Sequence, residues 1–154
     1  MKVLAIGFGV LLWSAQLLAQ DVSVQYDEAA DFTAYKTFTW KGCLIGDPDA
    51  TLPIIRKLNI ERVRNEMIQQ LTAKGLTEVE DDGDLNVSCT GGRKDNRKIE
   101  TDGLLILDLV DTERDELAWR AFCSATLSDT SNIDKKIRRA VKKAFKSYPP
   151  RVRP

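Results

Sequence analysis

Apolar and polar residues alternate over Val22-Ser-Val-Gln-Tyr26 and again over Lys36-Thr-Phe-Thr-Trp40, the period of half-buried strands. Between them Asp27-Glu-Ala-Ala-Asp31 reads as a turn, with Phe32 and Tyr35 placed to tuck beneath it. A loop over Gly42 to Leu52 follows, punctuated by Gly46, Pro48 and Pro53. The period then changes. From about Ile54 to Lys74, the residues Ile60, Val63, Met67 and Leu71 recur at spacings of three and four, which predicts an amphipathic helix. Lys74-Gly75-Leu76 closes it as a glycine cap followed by an apolar contact. After an acidic turn from Glu78 to Asp84, Leu85-Asn-Val-Ser-Cys89 alternates again. Gly91 to Thr101 is a polar, basic loop. Gly103 to Val110 is the most apolar strand beyond the leader, and a turn over Asp111 to Glu116 joins it to a strand over Leu117 to Leu127 as a hairpin. The last helix runs from about Ile133 to Ser147, with Ile133, Ile137, Val141, Ala144, Phe145 and Tyr148 on one stripe, and Pro149-Pro150 ends it.

The order is β-β-α-β-β-β-α, an α+β class. Each helix has one apolar face and needs a sheet or a partner to cover it. The simplest arrangement is a largely antiparallel sheet of about five strands with both helices on one face. The length, 154 residues, suits one domain, here residues 20–150 with a short tail at 151–154. Hydrophobic residues at 43% and charged residues at 30% describe a globular chain.

The N-terminus has the pattern of a secretory signal peptide over residues 1–19. Lys2 supplies the positive start, Val3 to Trp13 are unbroken apolar residues, and Ala19 offers a small residue for cleavage, leaving Gln20 first. The alternative is an uncleaved anchor. The segment is shorter than the roughly 20 apolar residues of a spanning helix, and no later segment has that length. The expected location is the periplasm or the exterior. Export changes what three cysteines mean, because an oxidising compartment allows one intramolecular disulfide. Cys89 and Cys123 are the candidate pair, because both fall on the core side of their strands; the plainer reading makes them buried thiols.

Charge balances over the whole chain but not along it. Asn132 to Pro154 carries nine basic residues and one acid, whereas Gln20 to Ser131 carries 13 basic and 22 acidic residues. On the last helix Lys135, Arg138, Arg139, Lys142, Lys143 and Lys146 lie opposite the apolar stripe, a candidate contact for an anionic membrane surface. Its plainer reading is a solvated outer face. Nucleic acid is not expected as a partner, since exposed aromatics are not interleaved with these cations.

Tyr26 to Trp40, "YDEAADFTAYKTFTW", holds five of the eleven Phe, Trp and Tyr residues. With "AKGLTEVEDDGDLNVS", "GLLILDLVDTERDELAWRAFCSATL" and "IRRAVKKAFKSYPP", in that order, it resembles the bacterial envelope family called domain of unknown function 4136, from about Val22 to Pro150. The resemblance implies a small exported or lipid-anchored protein of Gram-negative bacteria, with no established activity and no catalytic residues to carry over. The chain lacks the lipobox cysteine of many members, which favours a soluble periplasmic form.

Candidate chemistry is sparse. Histidine is absent, which removes the commonest general base and zinc ligand. Cys43, placed in a loop, therefore lacks an activating base for catalysis. Glu78, Glu80, Asp81, Asp82 and Asp84 cluster around Gly83, but without the ligand spacing of a calcium loop. Gly91 to Lys98, "GGRKDNRK", lacks the strand and helix that frame a phosphate loop. Asp108, Asp111, Glu113, Asp115 and Glu116 crowd the hairpin, with Asp108 placed either on a solvated face or against Arg120. No cofactor or metal is expected. The reading that results is a non-enzymatic envelope domain that binds an envelope protein or an anionic surface. The alternative is a small-ligand-binding protein or hydrolase using carboxylates of the Asp108–Glu116 hairpin. The five aromatics of Tyr26 to Trp40 are expected to build core.

Overall fold

The computed structural model describes residues 21–45, 53–94, 102–126 and 132–151. The leader and its cleavage point at Ala19, the Gly46–Leu52 part of the predicted loop and the second half of "GGRKDNRK" lie outside the described residues. The elements are β1 (Asp21–Tyr26), β2 (Thr37–Ile45), α1 (Pro53–Ala73), β3 (Thr77–Glu78), β4 (Leu85–Lys94), β5 (Asp102–Asp111), β6 (Glu116–Thr126) and α2 (Ile133–Phe145).

The α+β class holds, with two helices and one mixed sheet of six strands in the order β1-β6-β5-β4-β2-β3. Sequence alternation predicted about five strands, largely antiparallel. The strands β1, β6, β5 and β4 pair antiparallel, but β2 pairs parallel with both β3 and β4. The reason is α1: a 21-residue helix carries the chain back beside β2 in the same direction, as a parallel connection requires. The added strand, β3, has two residues, too few for any period to show.

Both helices cover one face. Phe38, Leu85, Val87, Leu107, Leu109, Trp119 and Ala121 from the sheet meet Val63, Met67, Leu71, Val141, Ala144 and Phe145 from the helices, all essentially buried. Each large side chain so buried contributes about 1.5–3 kcal/mol. Four of the five N-terminal aromatics serve this core as expected. Phe32, Tyr35 and Phe38 are buried and Trp40 packs against them, while Tyr26 is 40% exposed. Phe32 makes edge-to-face contacts with Tyr26, Tyr35 and Tyr148.

Helix α1 ends as its sequence predicts. Gly75 adopts φ +91°, Leu76 N–H donates to Leu71 C=O at 3.1 Å, and Gly75 N–H donates to Thr72 C=O at 2.9 Å. This is a Schellman cap, with Leu76 buried.

Strand β2 continues five residues beyond Trp40, through a bulge between Trp40 and Gly42, where Gly42 takes φ +114°. The extra residue resets the alternation, so that Cys43 joins Trp40 on the helix side. Cys43 is then the register partner of Cys89, and the two form a disulfide with Cα atoms 4.4 Å apart. This corrects the expected Cys89–Cys123 pair. Cys123 lies on β6, separated from β4 by β5, and is a buried free thiol whose pKa burial pushes up to about 12.

Because β3 and β4 flank β2 on opposite sides, residues 79–84 must pass over β2. They do so on the helix-free face. Gly83 N–H donates to the Thr39 hydroxyl at 3.0 Å, and a Cβ on Gly83 would stand 2.6 Å from the Phe38 carbonyl carbon and 2.7 Å from the Thr39 nitrogen. Both are backbone atoms of a strand paired on each side, so neither can retreat. Gly83→Ala is therefore expected to lower stability by about 1–3 kcal/mol in urea denaturation. Gly92→Ala, whose Cβ meets nothing within 4 Å among the described residues, is expected to stay within about 0.5 kcal/mol of the parent. Equal midpoints for the two variants would refute this account of the crossing.

Candidate functional site

Three connections meet at one end of the sheet: the β1–β2 connection, the strap over β2, and the β5–β6 turn. They enclose a cleft of about 440 Å³ whose lining includes Asp31, Tyr35, Asp84, Asp111, Glu113 and Arg114. Backbone and side-chain bonds tie the three together. Thr112 N–H donates to Asp84 C=O at 3.0 Å, and Asp27 N–H donates to Ala118 C=O at 2.9 Å. Arg114 bonds Asp27 at 2.8 Å and also pairs with Glu116.

Asp84 closes the strap. Its carboxylate accepts from the backbone N–H groups of Lys36 and Thr37, each at 2.8 Å, and from the Thr37 hydroxyl at 2.9 Å. These donors hold its pKa below the ordinary carboxylate value. Asp111 is 7% exposed and accepts the Tyr35 hydroxyl at 2.7 Å and Arg114 N–H at 3.0 Å. Burial raises its pKa, but the Tyr35 hydroxyl and the backbone N–H groups of Arg114 and Glu113 outweigh it, and the net shift is downward. Tyr35 moves the other way: burial, then the bond to Asp111, pushes its hydroxyl well above the usual value. Asp31 is lowered by the hydroxyl and N–H of Thr33. The cleft thus presents carboxylates whose negative charge is fixed by donors.

The hairpin carboxylates singled out from the sequence separate. Asp111 and Glu113 line the cleft. Asp108 does not; it sits on the helix-free face as the register partner of Arg120, which it accepts bidentately at 2.6 and 2.8 Å. Of the acidic turn, Asp82 and Asp84 reach the cleft, and Glu78 bonds Arg64 at 2.7 Å. Among the described residues no three His, Cys, Asp or Glu side chains gather as a metal site. The described part of "GGRKDNRK", Gly91 to Lys94, is strand rather than loop.

Helix α2 buries Ala140, Val141, Ala144 and Phe145 against the core, so its apolar stripe is not available to a bilayer. Lys135, Arg138, Arg139, Lys142, Lys143 and Lys146 are exposed, as expected of the opposite face. Some of that charge is answered internally. Arg138 pairs with Asp134 at 3.4 Å, Arg62 reaches the same carboxylate at 3.3 Å, and Lys142 lies 4.0 Å from the buried Glu66. No described helix is long and apolar enough to cross a membrane.

The model of the family described as domain of unknown function (DUF4136) matches residues 22–150. The chain belongs to that family. A DUF4136 family protein from Bacteroides thetaiotaomicron shares the fold at 12% identity, with 84% of this chain and 96% of that one covered and a TM-score of 0.60. A PDZ domain protein from Parabacteroides distasonis aligns at 14% identity over 86% of this chain, with a TM-score of 0.67; the chain spans 36% of that protein's length. PelC of Paraburkholderia phytofirmans, a dodecamer, aligns at 12% identity over 82% of this chain and 95% of its own, with a TM-score of 0.53. Identities this low show the fold alone. No curated protein matches the sequence.

What sequence reading missed is the meeting of Asp31, Tyr35 and Asp84 with the hairpin. Their separation along the chain is 47 to 48 residues between strap and β2 start, and 76 between Tyr35 and Asp111. Only the topology brings them together.

Removing the Tyr35 hydroxyl leaves Asp111 buried with one donor fewer. Tyr35→Phe is expected to cost about 1–2 kcal/mol at neutral pH. Because the Asp111 pKa is depressed in the folded state, its stabilisation is present above the ordinary carboxylate pKa and is lost as pH falls through the folded value. In Tyr35→Phe that acid loss should be shallower. Tyr148 is the control, because its buried hydroxyl has no hydrogen-bond partner among the described residues. Tyr148→Phe should be neutral or stabilising. Urea denaturation of the three proteins from neutral to acid pH checks all of this, and an equal cost for the two variants would contradict it.

Proposed function

We propose that the chain is an exported domain of the bacterial cell envelope that works by binding rather than catalysis, with the acidic cleft as the seat of a cationic partner group. One observation carries the choice of binding over hydrolysis: the Asp31, Asp84 and Asp111 carboxylates each accept hydrogen bonds from backbone N–H and hydroxyl donors, which stabilise the charged form and hold the pKa down. A general acid needs the opposite shift, towards neutrality. Fixed negative charge in a concave mouth instead attracts ammonium or guanidinium groups, with a strength that falls as salt rises.

Two features support export. Residues 1–19 carry the leader pattern, and the Cys43–Cys89 bond is of a kind that persists in oxidising compartments. In the chain-entropy model, closing a separation of 46 residues contributes at most about 4 kcal/mol.

A second reading rests on α2. Lys135, Arg139 and Lys146 are exposed along its outer side. With the apolar stripe buried, such a helix would touch an anionic envelope surface through charge alone, without insertion.

Titration with a short polylysine peptide, followed through backbone amide resonances, tests the cleft. Shifts should concentrate around Asp31, Asp84 and Glu113, weaken with salt, and shrink in Asp82→Asn combined with Glu113→Gln. Shifts elsewhere, or none, would remove the cleft from the proposal. Shifts along α2 with phosphatidylglycerol vesicles, abolished by Lys142→Glu, Lys143→Glu and Lys146→Glu together, would move the function to the helix.

Intact mass of the protein isolated from its own host tests export. The expected mass begins at Gln20, with Cys123 as the single thiol, alkylated only after unfolding. A retained leader with three alkylated thiols would overturn the envelope assignment.

A further inference from the structure

We infer that the helix-free face of the sheet is a self-association surface, occupied by a second copy of this chain packed face to face about a twofold axis. The observation begins with β5. Leu105, Leu107 and Leu109 point to the helices, yet Leu104, Ile106 and Val110 on the opposite side are apolar too. A strand apolar on both sides has the composition of one buried on both sides. Across the sheet, Leu44, Thr90, Ile106 and Phe122 are successive register partners on this face. Leu117 sits beside Val110. Leu44 is 78% exposed, and Leu104 and Leu117 are each 37% exposed.

Charge decides the occupant. Thirty per cent of the chain is charged, but the outward side chains of β4 from Asn86 to Thr90 are uncharged, and the middle of β5 and β6 carries one acid and one base. Asp108 and Arg120 are joined bidentately, and the Arg120 guanidinium lies 5.9 Å from the Phe122 ring centroid. The pair therefore brings no net charge into a contact. Such a surface exerts little field on an acidic or a basic partner, whereas two identical copies meet on it without repulsion. With the axis near this pair, Asp108 of each copy also faces Arg120 of the other, so the surface is complementary to itself.

Size sets the strength. Four strands about 4.8 Å apart, each with four outward positions about 6.8 Å apart, give a face of roughly 500 Å². Two such faces bury about 1,000 Å², the lower edge of a specific interface. The association is therefore expected to be weak and concentration-dependent.

Sedimentation equilibrium of the purified protein, from micromolar to sub-millimolar concentration, reads the result. The expected mass rises from one chain to two. Leu104→Lys combined with Ile106→Lys places like charges across the axis and should hold the mass at one chain throughout. Near-ultraviolet dichroism and Tm confirm that the variant is folded. Leu117→Lys, at a separate exposed position of the same face, gives the same reading should the double variant fail to fold. A parent protein that stays monomeric overturns the inference, and so does a dimer indifferent to these lysines. Binding of the parent to phosphatidylglycerol vesicles that the lysines strengthen would identify the face as a lipid contact instead, and overturns it as well.

Discussion

Strand β2 is paired on both sides in the parallel sense, and its two partners are consecutive in sequence, so the six residues from Val79 to Asp84 must cross its backbone. Much of the structure follows from that crossing. It demands a residue without a side chain at Gly83, where backbone stands 2.6 Å from any Cβ. It leaves the first N–H groups of β2 without a strand partner, and the Asp84 carboxylate accepts them. It also carries acidic residues to the end of the sheet where the β5–β6 turn arrives, and the Thr112–Asp84 backbone bond fixes the two together. The cleft is thus a by-product of topology. Its carboxylates hold the turns in place before they can act on anything else.

The same pairing explains the disulfide. Parallel register with β4 continues past the bulge at Gly42 and brings Cys43 opposite Cys89. The bulge adds one residue to β2 alone, so a strict period of two places Cys43 on the wrong side, and a loop beginning at Gly42 hides it altogether. Long periodic segments suffer less from such local events. Both helices, the β5–β6 hairpin and the glycine cap after α1 were legible, because each is specified by ten or more residues or by a local hydrogen-bond motif. The strand order was not, since no residue pattern distinguishes a parallel neighbour from an antiparallel one in a strand with one buried face. Asp108 shows the middle case: alternation placed it away from the core, and hairpin register then supplied Arg120 as its partner.

The charge asymmetry along the chain becomes a spatial arrangement. The cations of α2 are partly met by acids on the helical layer, Asp134 and Glu66, which also tie α2 to α1 through the Arg62–Asp134 and Lys142–Glu66 pairs. The carboxylates of the cleft are met mainly by N–H and O–H donors of neighbouring turns, which bond them without cancelling their charge. The basic helix and the acidic cleft therefore do not neutralise one another, although the whole chain sums to zero. The helix-free sheet face carries one acid and one base locked together at its centre, with the acidic strap over β2 at one corner. Three surfaces of different sign on one small domain constrain its partners separately. Under the binding role proposed above, the sheet's end suits a cationic group, the outer side of α2 an anionic surface, and the helix-free face a neutral apolar one. A pair formed through the sheet would present the basic outer side of α2 twice, and a multivalent anionic partner would meet both copies together.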